Sequence, residues 1–120
     1  MNFLLVFIGG GFGSCIRYAF SLWIKPQSNS FPWATLTANL ISCFIIGVLI
    51  GLFTKNSLTE HQKLLLITGF CGGFSTFSAF GAEVFHLVKT GMVLMALSYI
   101  LISIVVGSLL VLGGSMLVNT

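Results

Sequence analysis

The chain contains no aspartate, and its only acids are Glu60 and Glu83. Charged residues make up 6% of it, against about a quarter in an ordinary soluble domain. That is too little charge to cover a water-facing surface, so a soluble fold is excluded. The scarcity excludes chemistry as well. Two acids and two histidines, His61 and His86, supply no paired carboxylates, no metal-ligand cluster and no Ser–His–acid set, so enzymatic function is not expected. The three cysteines, Cys15, Cys43 and Cys71, are odd in number and fit neither a disulfide framework nor a zinc site. They read as small, weakly polar packing residues. The net charge of +3 is dispersed and forms no basic stripe, so a nucleic-acid partner is not expected. The N-terminus has no basic stretch ahead of its first apolar run, and no cleaved signal peptide is expected.

What the chain has in quantity is apolar surface: 57% of its residues are hydrophobic. This is the composition of an all-α integral membrane protein. A crossing needs roughly 20 apolar residues, and four such segments can be read: about Phe3 to Ile24, Pro32 to Thr54, Gln62 to Val88 and Met92 to Val118. Together they predict a single four-helix transmembrane domain over residues 1–120. The links are short and polar. They run through Lys25-Pro26-Gln27-Ser28-Asn29-Ser30, through Lys55 to His61, and around Lys89-Thr90-Gly91.

The third segment departs from an ordinary crossing. Gly69, Gly72 and Gly73 fall within five residues, and each glycine lowers helix stability by roughly 1 kcal/mol. A break in the third helix is expected at these glycines. In lipid an unpaired backbone group costs several kcal/mol, so helices break only where protein or a water-filled cavity satisfies the loose ends. A break at membrane depth therefore points to an ion or substrate site.

Polar groups inside the spans are candidates for the same site. Thr35, Asn39, Ser42 and Cys43 form a polar stripe on the second span. The Asn39 amide can replace part of an anion's hydration shell, or simply bond a neighbouring helix. Phe77, Phe80 and Glu83 follow the glycines at i, i+3 and i+6. Phenylalanine at this spacing is commonly core or lipid-facing, but a ring edge is electropositive and can meet an anion. Glu83 reads equally as a proton carrier, a hydrogen-bonded structural group or a vestibule residue. Arg17 either snorkels to the headgroups or makes an electropositive vestibule. Tyr99 and Ser103, one turn apart, form a hydroxyl track or pair with backbone carbonyls.

Charge placement bears on assembly. Lys55 and Lys63 lie on the N-terminal side of the spans, Lys25 and Lys89 on the other. The bias that normally fixes orientation is nearly absent. Balanced flanks allow insertion both ways and hence an antiparallel dimer. Small-residue pairs at four-residue spacing, Gly9/Gly13, Gly47/Gly51, Gly69/Gly73 and Ser103/Gly107, allow close helix approach within or between subunits.

Taken together, these residues resemble the CrcB/Fluc family of small fluoride channels over the length of the chain. The first helix carries Gly9-Gly10-Gly11-Phe12-Gly13-Ser14-Cys15-Ile16-Arg17-Tyr18, and the second Thr35-Leu36-Thr37-Ala38-Asn39. The third carries Gly69-Phe70-Cys71-Gly72-Gly73-Phe74-Ser75-Thr76-Phe77-Ser78-Ala79-Phe80, the most specific of the three. Ser75 and Ala79 stand where the family usually has threonine, Ala34 where it commonly has glycine, and Gly107 where a serine would extend the hydroxyl track. The resemblance implies an antiparallel, dual-topology homodimer in the cell membrane of a prokaryote, passing fluoride passively to relieve fluoride toxicity. It implies a fluoride path of Asn39, Phe77, Phe80, Tyr99 and Ser103, with Arg17 and Glu83 at a vestibule. It further implies one structural sodium ion on the dimer axis, held by the backbone carbonyls of Gly72 and Ser75. The competing reading is a small multidrug-type proton antiporter. Such a transporter needs a membrane-embedded carboxylate, and Glu83 is the only candidate.

Overall fold

The computed structural model describes residues 1–24 and 31–119. The first link, Lys25 to Ser30, with its Lys25 charge, lies outside the described residues. Four helices are long and apolar enough to cross a membrane: Asn2–Trp23, Trp33–Thr54, Glu60–Lys89 and Val93–Val118. The first is α1 and the second α2. The third is composite. It opens with α3 (Glu60–Lys63), continues as a π-helix (Leu64–Cys71) and ends its first half with α4 (Gly72–Phe74). After a break it resumes as α5 (Phe77–Lys89). The fourth is α6 (Val93–Val118).

Local chemistry sets the helix ends. Asn56 (φ 58°) and Gly91 (φ 84°) adopt the left-handed conformation that closes a helix C-terminus. At each, the next residue's N–H reaches back five residues: Ser57 to the Leu52 carbonyl and Met92 to the Leu87 carbonyl. The α3 start is a reciprocal cap. Thr59 Oγ1 accepts from Gln62 N–H, and Gln62 Oε1 accepts from Thr59 N–H.

The helices pair off, α1 with the first half of the third span and α2 with α6, while α5 lies along α6. Lys55 Nζ donates to the Val118 carbonyl, so the second link and the end of α6 share one end of the bundle. The body measures 48 × 32 × 21 Å. Its thinnest dimension is about two helix diameters of ~10 Å.

The break lies later than the glycines suggest. Gly72 has ordinary helical dihedrals (φ −64°, ψ −35°), and the chain leaves the helix only at Ser75 and Thr76, both extended. Gly69, Gly72 and Gly73 are helical, although π-winding runs up to Cys71. Two of these glycines serve packing. A Cβ on Gly73 would lie 2.4 Å from the Gly10 carbonyl oxygen, and one on Gly69 3.0 Å from that of Val6. The other small pairs are also used inside the chain. Gly9 and Gly13 face the third span, Gly47 and Gly51 face α6, and Gly107 faces Cys43. These pairs therefore provide no argument for a contact between subunits.

Candidate functional site at the helix break

Side chains from α1 and α2 tie the break together. On α2, Thr35 Oγ1 donates to Glu83 Oε2 at 2.9 Å. One turn on, Asn39 Oδ1 accepts from Thr76 N–H at 3.0 Å, and Asn39 Nδ2 donates to the Thr76 carbonyl at 3.4 Å. A further turn on, Ser42 Oγ donates to the Cys71 carbonyl at 3.3 Å. From α1, Arg17 Nε donates to the Gly73 carbonyl at 3.2 Å. The polar stripe of α2 thus faces the third span.

Carbonyl groups at the break divide into two sets. That of Cys71 accepts from Ser75 N–H at 3.0 Å and from Ser75 Oγ at 2.7 Å as well as from Ser42. That of Gly73 is taken by Arg17. In a continuous helix Thr76 N–H would close on Gly72, but here it goes to Asn39. Among the described residues no donor reaches the carbonyls of Gly72 and Ser75. A Cβ on Gly72 would meet nothing within 4 Å. The α5 N-terminus is capped by Thr76, whose Oγ1 accepts from Ala79 N–H at 3.3 Å. Position 79 contributes only its backbone here, so alanine serves the cap as well as threonine would.

Two cavities flank the break. One is a groove of about 280 Å³ lined by Asn39, Cys43, Ser75, Thr76, Phe77, Phe80, Ser103 and Ile104. It gathers four of the five residues the sequence suggests for an ion path, Asn39, Phe77, Phe80 and Ser103. Tyr99, the fifth, does not line it. Its side chain is fully buried and packs against Phe80 at 4.9 Å between ring centroids. Phe77 is 83% exposed, and its ring lies 5.8 Å from that of Phe80. Ser103 Oγ is buried and makes no hydrogen bond among the described residues. A hydroxyl left in that state costs about 1–3 kcal/mol, so it marks a place where a polar ligand would be welcome. Among the described residues no charged side chain lines this groove.

The other cavity is a chamber of about 400 Å³ lined by Ser14, Arg17, Tyr18, Ser21, Ala34, Thr35 and Ala79. Arg17 is its only charge among the described residues. Glu83 does not line it, but Thr35, which does, donates to Glu83 Oε2. Tyr99 OH donates to Glu83 Oε1 at 3.0 Å. Of the three readings left open for Glu83, the geometry displays the hydrogen-bonded one.

Sequence reading did not select Thr76, Cys43 or Ile104 for the groove, nor Ser14, Tyr18, Ser21 and Thr35 for the chamber. Cys43 gave a signal, since it lies one turn beyond Asn39 on the polar stripe. Ser14, Tyr18 and Ser21 share a face with Arg17 at helical spacing.

The arrangement is a broken third helix with an Asn–backbone clamp, paired phenylalanines and an arginine chamber. A family model described as CrcB-like protein, Camphor Resistance (CrcB), matches residues 4–115. The chain belongs to the CrcB family. A relative in Azobacteroides pseudotrichonymphae, named a fluoride-specific ion channel, is 47% identical over 94% of this chain and 92% of its own length. A Leptospira interrogans relative of the same name is 44% identical over 89% of each chain. One from Phocaeicola vulgatus, again of that name, is 40% identical over 94% of each. CrcB membership and the four spans make this a multi-pass membrane protein.

Proposed function

We propose that this chain is a fluoride-selective passive channel that lets cytoplasmic fluoride leave the cell. The observation that carries the reading is the groove at the break. It offers an amide, hydroxyls and two phenylalanine rings, with no carboxylate to repel an anion. Amide and hydroxyl hydrogens replace hydration, and ring edges add a weak positive field. The names of the three relatives point the same way. The path runs past Asn39, Phe80, Phe77 and Ser103, with Tyr99 backing Phe80. Arg17 draws anions into the chamber beside it. A neutral acid crosses lipid and dissociates inside, and a negative interior then drives the anion out at about 2.3 kcal/mol per 100 mV. No catalytic residue is required.

The test is efflux from liposomes holding purified protein. Fluoride should leave under an imposed voltage, without a proton gradient, while chloride stays. Chloride efflux at the same rate, or transport driven only by a proton gradient and abolished by Glu83→Gln, would overturn the reading in favour of a non-selective pore or an antiporter.

Assembly is part of the proposal. A 21 Å slab carrying a surface groove needs a second wall, and a second, inverted copy supplies it. The resulting homodimer sits in the cell membrane of a prokaryote, in keeping with the bacterial relatives. Its basis is the balanced placement of Lys25 and Lys89 against Lys55 and Lys63. Impermeant thiol labelling of Ser57→Cys, in a chain whose native cysteines are alanine, should find the thiol on both faces of the membrane. Labelling from one face alone would rule out dual topology.

A structural sodium ion also fits the residues present. Among the described residues no donor reaches the carbonyl oxygens of Gly72 and Ser75, and carbonyls suit a hard monovalent cation. Ser75→Ala should keep sodium-dependent thermal stability, because its hydroxyl is spent on Cys71. Gly72→Val should lose it, although nothing within the chain crowds position 72. Equal stability of wild type in sodium and in a large organic cation would remove the ion from the account.

A further inference from the structure

A third cavity, of about 500 Å³, opens where α5 turns into α6. Its lining includes Phe31, Gly91, Met92, Leu94, Met95 and Ser98. Pockets that hold small molecules span about 300–1,000 Å³, so its size is that of a ligand site. It is apolar apart from Ser98, whose hydroxyl already donates to the Leu94 carbonyl. Ion passage through the groove makes no use of it.

Neighbouring residues place the cavity in the bilayer. Trp33 is exposed, and its ring lies 4.8 Å from that of Phe31. Lys89 is exposed two residues before Gly91. Tryptophan and lysine at span ends mark the level of the lipid headgroups. From there α6 descends into the hydrocarbon. At about 3.6 residues per turn, Leu94, Met95 and Ser98 gather on one side of α6, and exposed Leu101, Ile102 and Val105 continue that side. Ser103 and Ile104, which line the ion groove, fall on the other. A second copy that walls the groove therefore leaves the cavity to lipid. The apolar strip is long and narrow, which suits an acyl chain.

The mouth suits an anion. Lys89 brings a positive charge. Met92, at the start of α6, gives no side-chain cap, and the N–H groups of Val93, Leu94 and Met95 meet no acceptor among the described residues. We propose that the cavity binds an anionic phospholipid. One acyl chain lies against Phe31 and along the Leu94 to Val105 side of α6, and the phosphate sits beside Lys89. The site is independent of which ion the protein passes.

Trp33 reports on the site because it adjoins Phe31. Trp23→Phe leaves it as the one remaining tryptophan. This chain, in phosphatidylcholine vesicles, is titrated with phosphatidylglycerol brominated in its acyl chains and, separately, with phosphatidylcholine brominated in the same way. Bromine quenches tryptophan on contact. The anionic lipid should reach half-maximal quenching at about fivefold lower mole fraction, the preference expected from one basic residue at the headgroups. Adding Lys89→Gln, an exposed change, should bring the ratio close to one. Adding Ser98→Phe, which fills the cavity, should also remove the preference while bulk lipid still reaches Trp33. Equal quenching by the two lipids without either change would overturn the site, as would a preference that survives both. Trp33 shielded from both lipids would show that a second copy covers the cavity, and would overturn it as well.

Discussion

Valine at Gly13 should leave little folded protein. A Cβ there would lie 2.2 Å from the Phe70 carbonyl oxygen and 2.7 Å from Phe74 N. Both are backbone atoms of the third span, so no side chain can rotate to make room. Either α1 moves away from the π-helix or the π-helix is displaced, and α1 has its main partner there. Overpacking a dense interior typically costs about 1–3 kcal/mol, occasionally more. With both contacts on backbone, the loss should be at least about 3 kcal/mol. It should appear as a drop in melting temperature in detergent and in the yield of monodisperse protein. Arg17 would be carried away with α1, breaking its bond to the Gly73 carbonyl. Gly11 is the control. It lies in the same helix, but a Cβ there meets nothing within 4 Å. Gly11→Ala should be neutral or stabilising by up to about 1 kcal/mol from helix propensity. Equal behaviour of the two variants would mean that α1 does not pack against the third span in this register.

The contrast between Gly13 and Gly11 shows what a sequence conceals. Glycine is called for wherever a helix must break and wherever two backbones must touch, and the letter is the same in both cases. Gly69, Gly72 and Gly73 suggested a break at the glycines themselves. The structure uses Gly69 and Gly73 for contact with α1 and breaks the chain at Ser75 and Thr76. The four apolar helices were legible from hydropathy, and a broken third helix was expected from the glycines and is present. The position of the break was not legible, because the partner that takes Thr76 N–H there is Asn39, 37 residues away. The π-winding of Leu64–Cys71 has no local signature in its residues.

Side-chain partners followed the same rule. Spacing alone placed Thr35, Asn39 and Ser42 on one face of α2, and the structure gives each a partner on the third span. Periodicity names a face but not what it meets. Tyr99 is the clearest case. It lies one turn before Ser103, yet Ser103 lines the groove while Tyr99 is sealed behind Phe80 with its hydroxyl committed to Glu83. One helical turn along α6 separates core from groove.

Replacing Phe77 and Phe80 with isoleucine should have the largest effect on transport with the least effect on structure. Phe77 is 83% exposed in the chain, so its ring does little for the core of a single copy. Phe80 is half-buried and meets Tyr99 at 4.9 Å. Isoleucine retains bulk and apolar area at both positions but removes the electropositive edge. If the rings were only packing, Phe80→Ile should cost under about 1.5 kcal/mol, Phe77→Ile less, and efflux should survive. If the rings meet a partly dehydrated fluoride ion, efflux should fall by at least about a hundredfold in each variant, as for other preorganised groups aimed at charge. Melting temperature should meanwhile stay within a few degrees of wild type. Tyr99→Phe supplies the internal comparison. It removes a hydroxyl bound to Glu83 but keeps the ring that backs Phe80. Its efflux should therefore fall less than that of Phe80→Ile, even if its stability falls more. Fluoride efflux at the wild-type rate in both isoleucine variants would remove the phenylalanines from the path and leave Asn39 and Ser103 to carry it.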